Sequence, residues 1–187
     1  MKEFTPEQVL TLATFLRESD KLHAKRDYAL MCVSIDMMAR TSDILKLRFK
    51  DVLLNGGIVE ELQFQQKKTG NLASCVLSQT ARDALAAYVG KFAESVREDR
   101  NRLLFPISGF WYRTLVKEWA VMLRLDPARY AGHSFRRTKA KMIYAQTKNV
   151  VAVKELLGHR DLKQTQEYLD IERADALELA RQISPLK

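Results

Sequence analysis

With 187 residues, the chain is long enough for one well-buried domain and too short for two full domains to be expected. Its 31 Lys and Arg residues exceed its 23 Asp and Glu residues, which gives a formal net charge of +8 and favours a polyanionic partner, nucleic acid before others. The sequence lacks the apolar stretch that a signal peptide or a membrane span needs, so we expect a cytoplasmic protein without a membrane partner.

Three helices are predicted in the first fifty residues. Thr5 is a suitable N-cap, Pro6 suits the first helical position, and Gln8 is placed to close a capping box with Thr5. Apolar residues then recur at helical spacing. The pattern predicts two more helices, at residues 25–38 and 42–47.

The pattern changes near residue 51 and predicts strands. Runs at 52–54 and 58–64 flank a Gly-rich segment that begins with Asn55 and requires a tight turn with positive φ. A third strand is predicted at 72–77, after a turn around Gly70. The expected class is therefore α+β, mainly α-helical with one small three-stranded antiparallel sheet.

The helical pattern resumes at Ser78, a plausible N-cap, and Asp161 is predicted to cap a later helix. The predicted helices of this half share apolar spacing near 3.6 residues; they span 78–92, 111–123, 134–146, 150–157, 162–168 and 172–183.

Cysteine spacing excludes the common cysteine-based sites. Cys32 and Cys75 lie far apart, without a CxxC pair or a nearby histidine at metal-ligand spacing. Both are predicted to be buried free thiols. Neither an Asp/Glu metal cluster nor a phosphate-binding P-loop is present in the sequence.

Tyr168 is the candidate nucleophile. It follows Gly158-His159 by nine residues after the histidine. A phenol has a pKa near 10 and needs neighbouring cations or a general base to attack at neutral pH. Most tyrosines are packing residues, so the prediction depends on the cationic and imidazole groups elsewhere in the chain.

The candidate partners of Tyr168 are cations and imidazoles. His133 and Arg136 are three residues apart, so on a helix they project to one side and can approach the same phosphate. Arginine donates two hydrogen bonds to phosphate oxygens, and histidine titrates near working pH. Arg137, alongside, is predicted to contact the DNA backbone.

Two further cations lie earlier in the chain. Arg40 emerges from an apolar run, where a charge is costly unless it is paired or functional; Asp43 is either its orienting partner or a first-turn residue that interacts with the helix dipole. Lys68 falls on the predicted turn between the last two strands, where its ammonium could protonate a leaving oxygen. Lys67, its neighbour, is predicted to bind DNA.

Six of these residues occur in a fixed order along the chain. They are Arg40, Lys68, His133, Arg136, His159 and Tyr168. With the stretches ARTSDILKLRFKDV, QQKKTG, GHSFRR and LLGHRDLKQTQEYL, this ordered set resembles the catalytic domain of the tyrosine recombinases, also called the phage integrase family. The resemblance covers residues 5–179 and implies the fold of that catalytic domain.

The resemblance implies a mechanism and a function. Tyr168 would attack the scissile phosphate, form a 3′-phosphotyrosyl link and release a 5′ hydroxyl. The family's arginines, here Arg40 and Arg136, would hold the phosphate, and both histidines would assist. Lys68 would be the general acid and Asp43 a supporting residue. The expected function is site-specific recombination of double-stranded DNA, with neither metal nor nucleotide cofactor.

The resemblance also implies an organisation. We expect one catalytic domain over residues 1–187, without the N-terminal core-binding domain of typical members, and a segment at about 172–187 that is exchanged between protomers. A tetramer on paired sites, accessory DNA-bending proteins and a nucleoid-associated location on DNA are also implied. One departure is local: members often have Thr-Gly-Leu before the first arginine, where this chain has Met37-Met38-Ala39.

Two alternative functions stay open at this stage. A DNA-binding regulatory module could keep the fold without strand exchange, and a type IB topoisomerase would share the tyrosine chemistry but relax supercoils without recombining sites. The regulatory module would differ from the recombinase by forming no covalent adduct with DNA. The topoisomerase would form an adduct, but not at a defined sequence.

Overall fold

A computed structural model describes residues 1–90, 99–171 and Arg181. The chain divides into two compact units, Met1–Lys139 and Ala140–Lys187. The elements of the first unit, in chain order, are α1 (Pro6–Glu18), α2 (Ala24–Met37), α3 (Thr41–Ile44), α4 (Phe49–Val52), β1 (Leu53–Leu54), β2 (Gly57–Ile58), β3 (Glu61–Gln65), β4 (Leu72–Val76), α5 (Gln79–Val89), α6 (Gly109–Met122) and a 3-10 turn at Pro127–Arg129.

The next helix, α7 (His133–Thr147), begins at the end of the first unit and continues into the second, which also holds α8 (Val150–Leu157) and α9 (Leu162–Leu169). The last helix predicted from the sequence, at 172–183, lies outside the described residues apart from Arg181. No helix in the described ranges is long and apolar enough to cross a membrane.

The capping box predicted for the first helix is confirmed. The Thr5 hydroxyl accepts a hydrogen bond from the Gln8 amide at 3.2 Å, and the Gln8 side chain accepts one from the Thr5 amide at 3.0 Å. These two contacts satisfy amides that have no partner inside the helix. The helix then buries Leu12 and Leu16 in the core of the first unit.

The predicted tight turn is confirmed, but the strands pair differently from the prediction. Asn55 and Gly56 both take positive φ, 51° and 83°, and join β1 to β2. Instead of one three-stranded sheet, the structure has two two-stranded antiparallel sheets, β1 with β2 and β3 with β4. The run after the turn changes partner: the Val59 amide still bonds to the Val52 carbonyl, whereas the Glu60 carbonyl already accepts from Leu77.

The core of the first unit is apolar and contains a few satisfied polar groups. Phe4 stacks on Phe135 with ring centroids 4.9 Å apart, and the fully buried Tyr112 donates from its hydroxyl to Ser34 at 2.8 Å. Cys32 and Cys75 are free and buried, as predicted. Burial raises the pKa of both thiols to about 12, so they are protonated and unreactive near neutral pH.

Candidate active site

Arg40 lies at a sharp junction between two helices. Met38, at the end of α2, takes the left-handed conformation with φ 47°, and Arg40 is the extended N-cap of α3. The left-handed backbone conformation costs a residue with a Cβ about 1–2 kcal/mol. Met38 occupies the position of the glycine in the Thr-Gly-Leu motif that often precedes the first arginine in the tyrosine recombinases. Its side chain is 3% exposed, so burial of the thioether offsets this backbone cost.

The Arg40 guanidinium is half-buried at this junction. Within the described part of the chain, its buried Nη1 has no hydrogen-bond partner, and it forms no ion pair with Asp43. A buried donor that lacks an acceptor costs about 1–3 kcal/mol. Among the described residues this donor has no acceptor, so an anion at this position would satisfy it.

His133 and Arg136 lie one turn apart at the start of α7. Arg136 is 3% exposed, whereas His133 is exposed to solvent. Partial desolvation of the imidazole, followed by the positive charges of Arg136 and Arg40, lowers the pKa of His133 below its ordinary 6.5. The two arginines and the histidine therefore share one electrostatic environment, and the imidazole is neutral at pH 7.

The lowered pKa of His133 has a measurable consequence. The folded state favours the neutral ring, so its contribution to stability is present above pH 6.5 and is lost as the pH falls through the lowered folded pKa. An NMR titration of the three histidines, assigned with His133→Asn, should give His133 a pKa below 6.5. Arg40→Ala should raise that pKa, as should added inorganic phosphate. A value at or above 6.5 in the unmodified protein would contradict the shared environment.

Gly132 allows His133 to sit close to the Arg40 segment. A Cβ at this position would clash with Thr41 Oγ1 and come within 2.9 Å of Tyr112 Cε1. Thr41 follows Arg40 directly, and Tyr112 is fully buried, so neither neighbour can move freely. The close approach of Gly132 thus fixes the start of α7 against the start of α3.

Gly132→Ala should therefore disturb this packing. Overpacking of this kind costs about 1–3 kcal/mol, and urea unfolding should show a loss of that size together with a shifted His133 resonance. Gly109→Ala is the matched control, because a Cβ there meets nothing within 4 Å. The control should keep or raise stability, by up to about 1 kcal/mol, since alanine favours a helix. Equal stability for both variants would show that the contact with Thr41 is not tight.

Asp43 contacts the turn that carries Lys68. Its Oδ1 accepts a hydrogen bond from the Lys67 backbone amide at 2.9 Å, and the residue is 3% exposed. Asp43 lies in the first turn of α3, one of the two positions weighed from the sequence, and the contact with the Lys67 amide was not predicted. Asp43 ties the Lys68 turn, residues 66–71, to the helix that begins beside Arg40.

The Lys68 turn is ordered by its own hydrogen bonds. The Gly70 amide, at φ 72°, donates to the Gln66 carbonyl at 2.8 Å, and the Thr69 hydroxyl donates to the buried Gln66 side chain at 2.8 Å. Lys67 and Lys68 themselves are exposed. The Lys68 ammonium thus extends on a flexible side chain from a turn that hydrogen bonds hold in place. A side chain that carries a proton to a nearby oxygen requires this combination.

The second unit contains His159 on a fixed helix end. Gly158, with φ 63°, ends α8 in the left-handed conformation. The Gly158 amide bonds to the Glu155 carbonyl at 3.0 Å, and the His159 amide bonds to the Lys154 carbonyl at 3.1 Å, which is the pattern of a Schellman motif. The glycine that precedes the histidine therefore fixes the position of the His159 backbone.

The His159 ring is oriented by Thr165. Nδ1 lies 3.0 Å from the Thr165 hydroxyl, and that hydroxyl donates its single proton to the Asp161 carbonyl at 3.4 Å. In the Nδ1–H tautomer the hydroxyl oxygen accepts from the ring, and Nε2 is then the acceptor nitrogen. Sequence reasoning missed Thr165, because a threonine inside a helix has no pattern that marks it as a histidine partner.

Tyr168 lies one turn further along α9 and packs against His159. The two rings have centroids 5.4 Å apart and meet at 79°, edge to face. Asp161 caps this helix by accepting from the Gln164 amide at 2.7 Å, and Tyr168 is half-buried. The nine-residue spacing between His159 and Tyr168 thus brings a phenol and an imidazole side by side within the second unit.

Arg137, predicted to contact DNA, has a protein partner. Its Nε donates to Glu3 at 3.5 Å, and its side chain is 15% exposed. The DNA contact at Arg137 stays a prediction. Among the described residues, no group of three or more His, Cys, Asp or Glu side chains could hold a metal ion.

Comparison with known sequences defines the class of protein. The sequence matches the Phage integrase family over residues 2–174, and the chain belongs to this family. It is 26% identical over 149 residues to a probable integrase/recombinase, YoeC, of Bacillus subtilis, with 79% of each chain covered. It is 23% identical over 172 residues to the tyrosine recombinase XerD of Listeria innocua. That alignment covers 86% of this chain and 55% of XerD.

Solved structures confirm the predicted fold class. The XerH site-specific recombinase in a post-cleavage complex with its difH substrate aligns with a TM-score of 0.75 and 17% identity, over 96% of this chain and 52% of that one. The catalytic domain of bacteriophage HP1 integrase aligns with a TM-score of 0.66 and 16% identity, over 100% of this chain and 96% of that one. This chain therefore spans about half of XerH and nearly all of the HP1 catalytic domain.

Proposed function

We propose that this chain cleaves and rejoins double-stranded DNA at a specific site through a 3′-phosphotyrosyl intermediate. The observation that carries the proposal is the packing of Tyr168 against the oriented ring of His159, in a chain that belongs to the phage integrase family. YoeC and XerD, which resemble this chain, are named as recombinases.

In the proposed reaction, the first unit holds the phosphate. The Arg40 and Arg136 guanidinium groups donate to the non-bridging oxygens, where negative charge grows as the phosphorus becomes pentacoordinate. The buried Nη1 of Arg40, which has no partner among the described residues, supports this role, since a phosphate oxygen would satisfy it. His133, neutral at pH 7, can donate a hydrogen bond or accept a proton beside the same phosphate.

The second unit supplies the nucleophile. The Tyr168 oxygen forms a bond to phosphorus, and the bond from phosphorus to the 5′ oxygen breaks. The phenolic proton passes to an imidazole, for which Nε2 of His159 has the required lone pair, and Lys68 gives a proton to the departing 5′ oxygen. Religation is the reverse of these steps with a different 5′ hydroxyl. Asp43 acts as a positioning residue, because it holds the Lys68 turn.

The test is a selection for covalent attachment. Nicked duplexes of randomised sequence would be mixed with the protein, denatured in SDS, and recovered only if attached to protein. The proposal expects attached duplexes that share one sequence. Attached duplexes without a shared sequence would favour a topoisomerase, and binding without attachment would favour a regulatory DNA-binding module; either result would contradict the proposal.

We further propose that four copies assemble on paired sites, with the segment after Tyr168 exchanged between protomers and with accessory DNA-bending proteins in some complexes. Closed assemblies of identical chains commonly exchange an element in this way. Mass measurement of the complex on one site and on two paired sites, once the sequence is known, tests this assembly. A single copy on paired sites would contradict it.

A further inference from the structure

A cationic cleft lies beside the candidate catalytic residues of the first unit. It has a volume of about 600 Å³. It is lined by Met1 and by residues of the α3 region, the Lys68 turn and the stretch from 107 to 133; they include Thr41, Lys46, Lys67, Gly109, Arg113 and His133. None of the described residues that line it is acidic. We call it the Lys46 cleft.

Three cationic side chains line the Lys46 cleft. Lys46, Lys67 and Arg113 are all exposed, and within the described residues none of them forms an ion pair. Other cations of the same unit are paired, such as Lys139 with Asp36 at 2.6 Å. A concave surface with three unpaired cations and no acid attracts an anion more strongly than isolated surface lysines do.

The cleft adjoins the proposed phosphate site without being part of it. His133 lines its edge, whereas Arg40 and Arg136 do not line it. Each strand of duplex DNA carries a phosphate for every 3.4 Å of axial rise. A strand whose scissile phosphate is held beside His133, and which runs on over the cleft, would place a neighbouring phosphate there.

We propose that the Lys46 cleft binds a backbone phosphate next to the scissile one, through Lys46, Lys67 and Arg113. Lys67 was predicted from the sequence to bind DNA, whereas Lys46 and Arg113 were not. The inference rests on the proposed function for the identity of the scissile phosphate. Phosphate contacts of this kind carry no base information and fix the register of the strand.

The test compares two double variants with the same change of charge. Lys46→Gln with Arg113→Gln removes two cations of the cleft; Lys50→Gln with Lys117→Gln removes two exposed, unpaired cations that do not line it. The slope of log affinity against log salt should fall by about 1.8 in the cleft variant, because the protein then neutralises two fewer phosphate charges. The control variant should keep the slope of the unmodified protein. Equal slopes for the two variants would overturn the inference.

A second measurement locates the phosphate. Neutral methylphosphonate groups would be placed singly around the scissile position of a trapped substrate. A methylphosphonate at one position adjacent to the scissile phosphate should slow adduct formation by the unmodified protein. The same substitution should not slow the cleft variant further. Equal sensitivity of both proteins at every position would overturn the inference.

The two hypotheses fail in different ways. If the unmodified protein forms the adduct and the cleft variant behaves as the control, the Lys46 cleft is wrong and the proposed function stands. If no adduct forms but the salt slope falls only in the cleft variant, the cleft binds DNA phosphate and the proposed reaction is wrong. Circular dichroism of each variant establishes that it is folded.

Discussion

Tyr168→Phe should eliminate the covalent protein–DNA adduct while leaving DNA affinity unchanged. The substitution removes one oxygen and keeps the ring that packs edge to face on His159, so the α8–α9 pair should keep its structure. Because the proposed intermediate is a bond to that oxygen, the phenylalanine side chain cannot form it. Trapping on the selected nicked duplex, followed by denaturing electrophoresis, measures the loss.

Tyr144→Phe is the matched control for Tyr168→Phe. Tyr144 lies on α7 and is half-buried, as Tyr168 is, and it has no proposed role in the reaction. The control should form the adduct at the rate of the unmodified protein. An adduct that persisted in Tyr168→Phe, or that disappeared in Tyr144→Phe, would remove Tyr168 from the mechanism.

Arg40→Met should separate catalysis from stability. Loss of a donor to the developing phosphate charge lowers the cleavage rate by about 10²–10³-fold. Stability should stay the same or rise, because the substitution removes a buried Nη1 that has no partner in the described residues, and such a group costs about 1–3 kcal/mol. Single-turnover trapping measures the rate, and urea unfolding measures the stability.

Arg82→Met is the control for Arg40→Met and should behave in the opposite way. Arg82 pairs with Glu60 at 3.3 Å on the surface of the first unit, so its loss should lower stability by up to about 1 kcal/mol and leave cleavage unchanged. If Arg40→Met lost stability without a selective loss of cleavage, Arg40 would be a structural residue and not a phosphate ligand.

Most of the helices and the turns were predictable because local chemistry specifies them, whereas the short helix α4 was not predicted and includes Val52, which was assigned to a strand. The capping box at Thr5 and the positive φ at Asn55-Gly56 depend on residues next to one another in sequence, and both are present. The pairing of the strands was not predictable in the same way. The run from Gly57 to Gln65 has a continuous strand pattern, but it pairs first with β1 and then with β4, and the choice of partner depends on the rest of the fold.

The candidate site was predictable in its residues and not in its supporting contacts. The spacing of His159 and Tyr168 suffices to bring their rings together, because Gly158 ends α8 directly before His159 and Asp161 caps the start of α9, which carries Tyr168. The contact from Asp43 to the Lys68 turn spans 24 residues, and no spacing rule indicates it. Gly132 was not predicted either, since a glycine required for close approach resembles any other glycine in a sequence.

Met38 shows where reasoning from a motif alone is limited. The glycine that members often have before the first arginine is absent here, yet Met38 takes the left-handed conformation that glycine favours. Tertiary packing, which buries its side chain, compensates for the backbone cost. A sequence shows which residue is present, but the energy available to force its conformation comes from the core.

The most direct test of the proposed function is to identify the atom that carries the DNA. The trapped adduct would be digested with nuclease and protease, and the modified peptide sequenced by mass spectrometry. The account predicts a nucleotide joined through its 3′ phosphate to Tyr168. A nucleotide on any other residue, or a link through a 5′ phosphate, would contradict it.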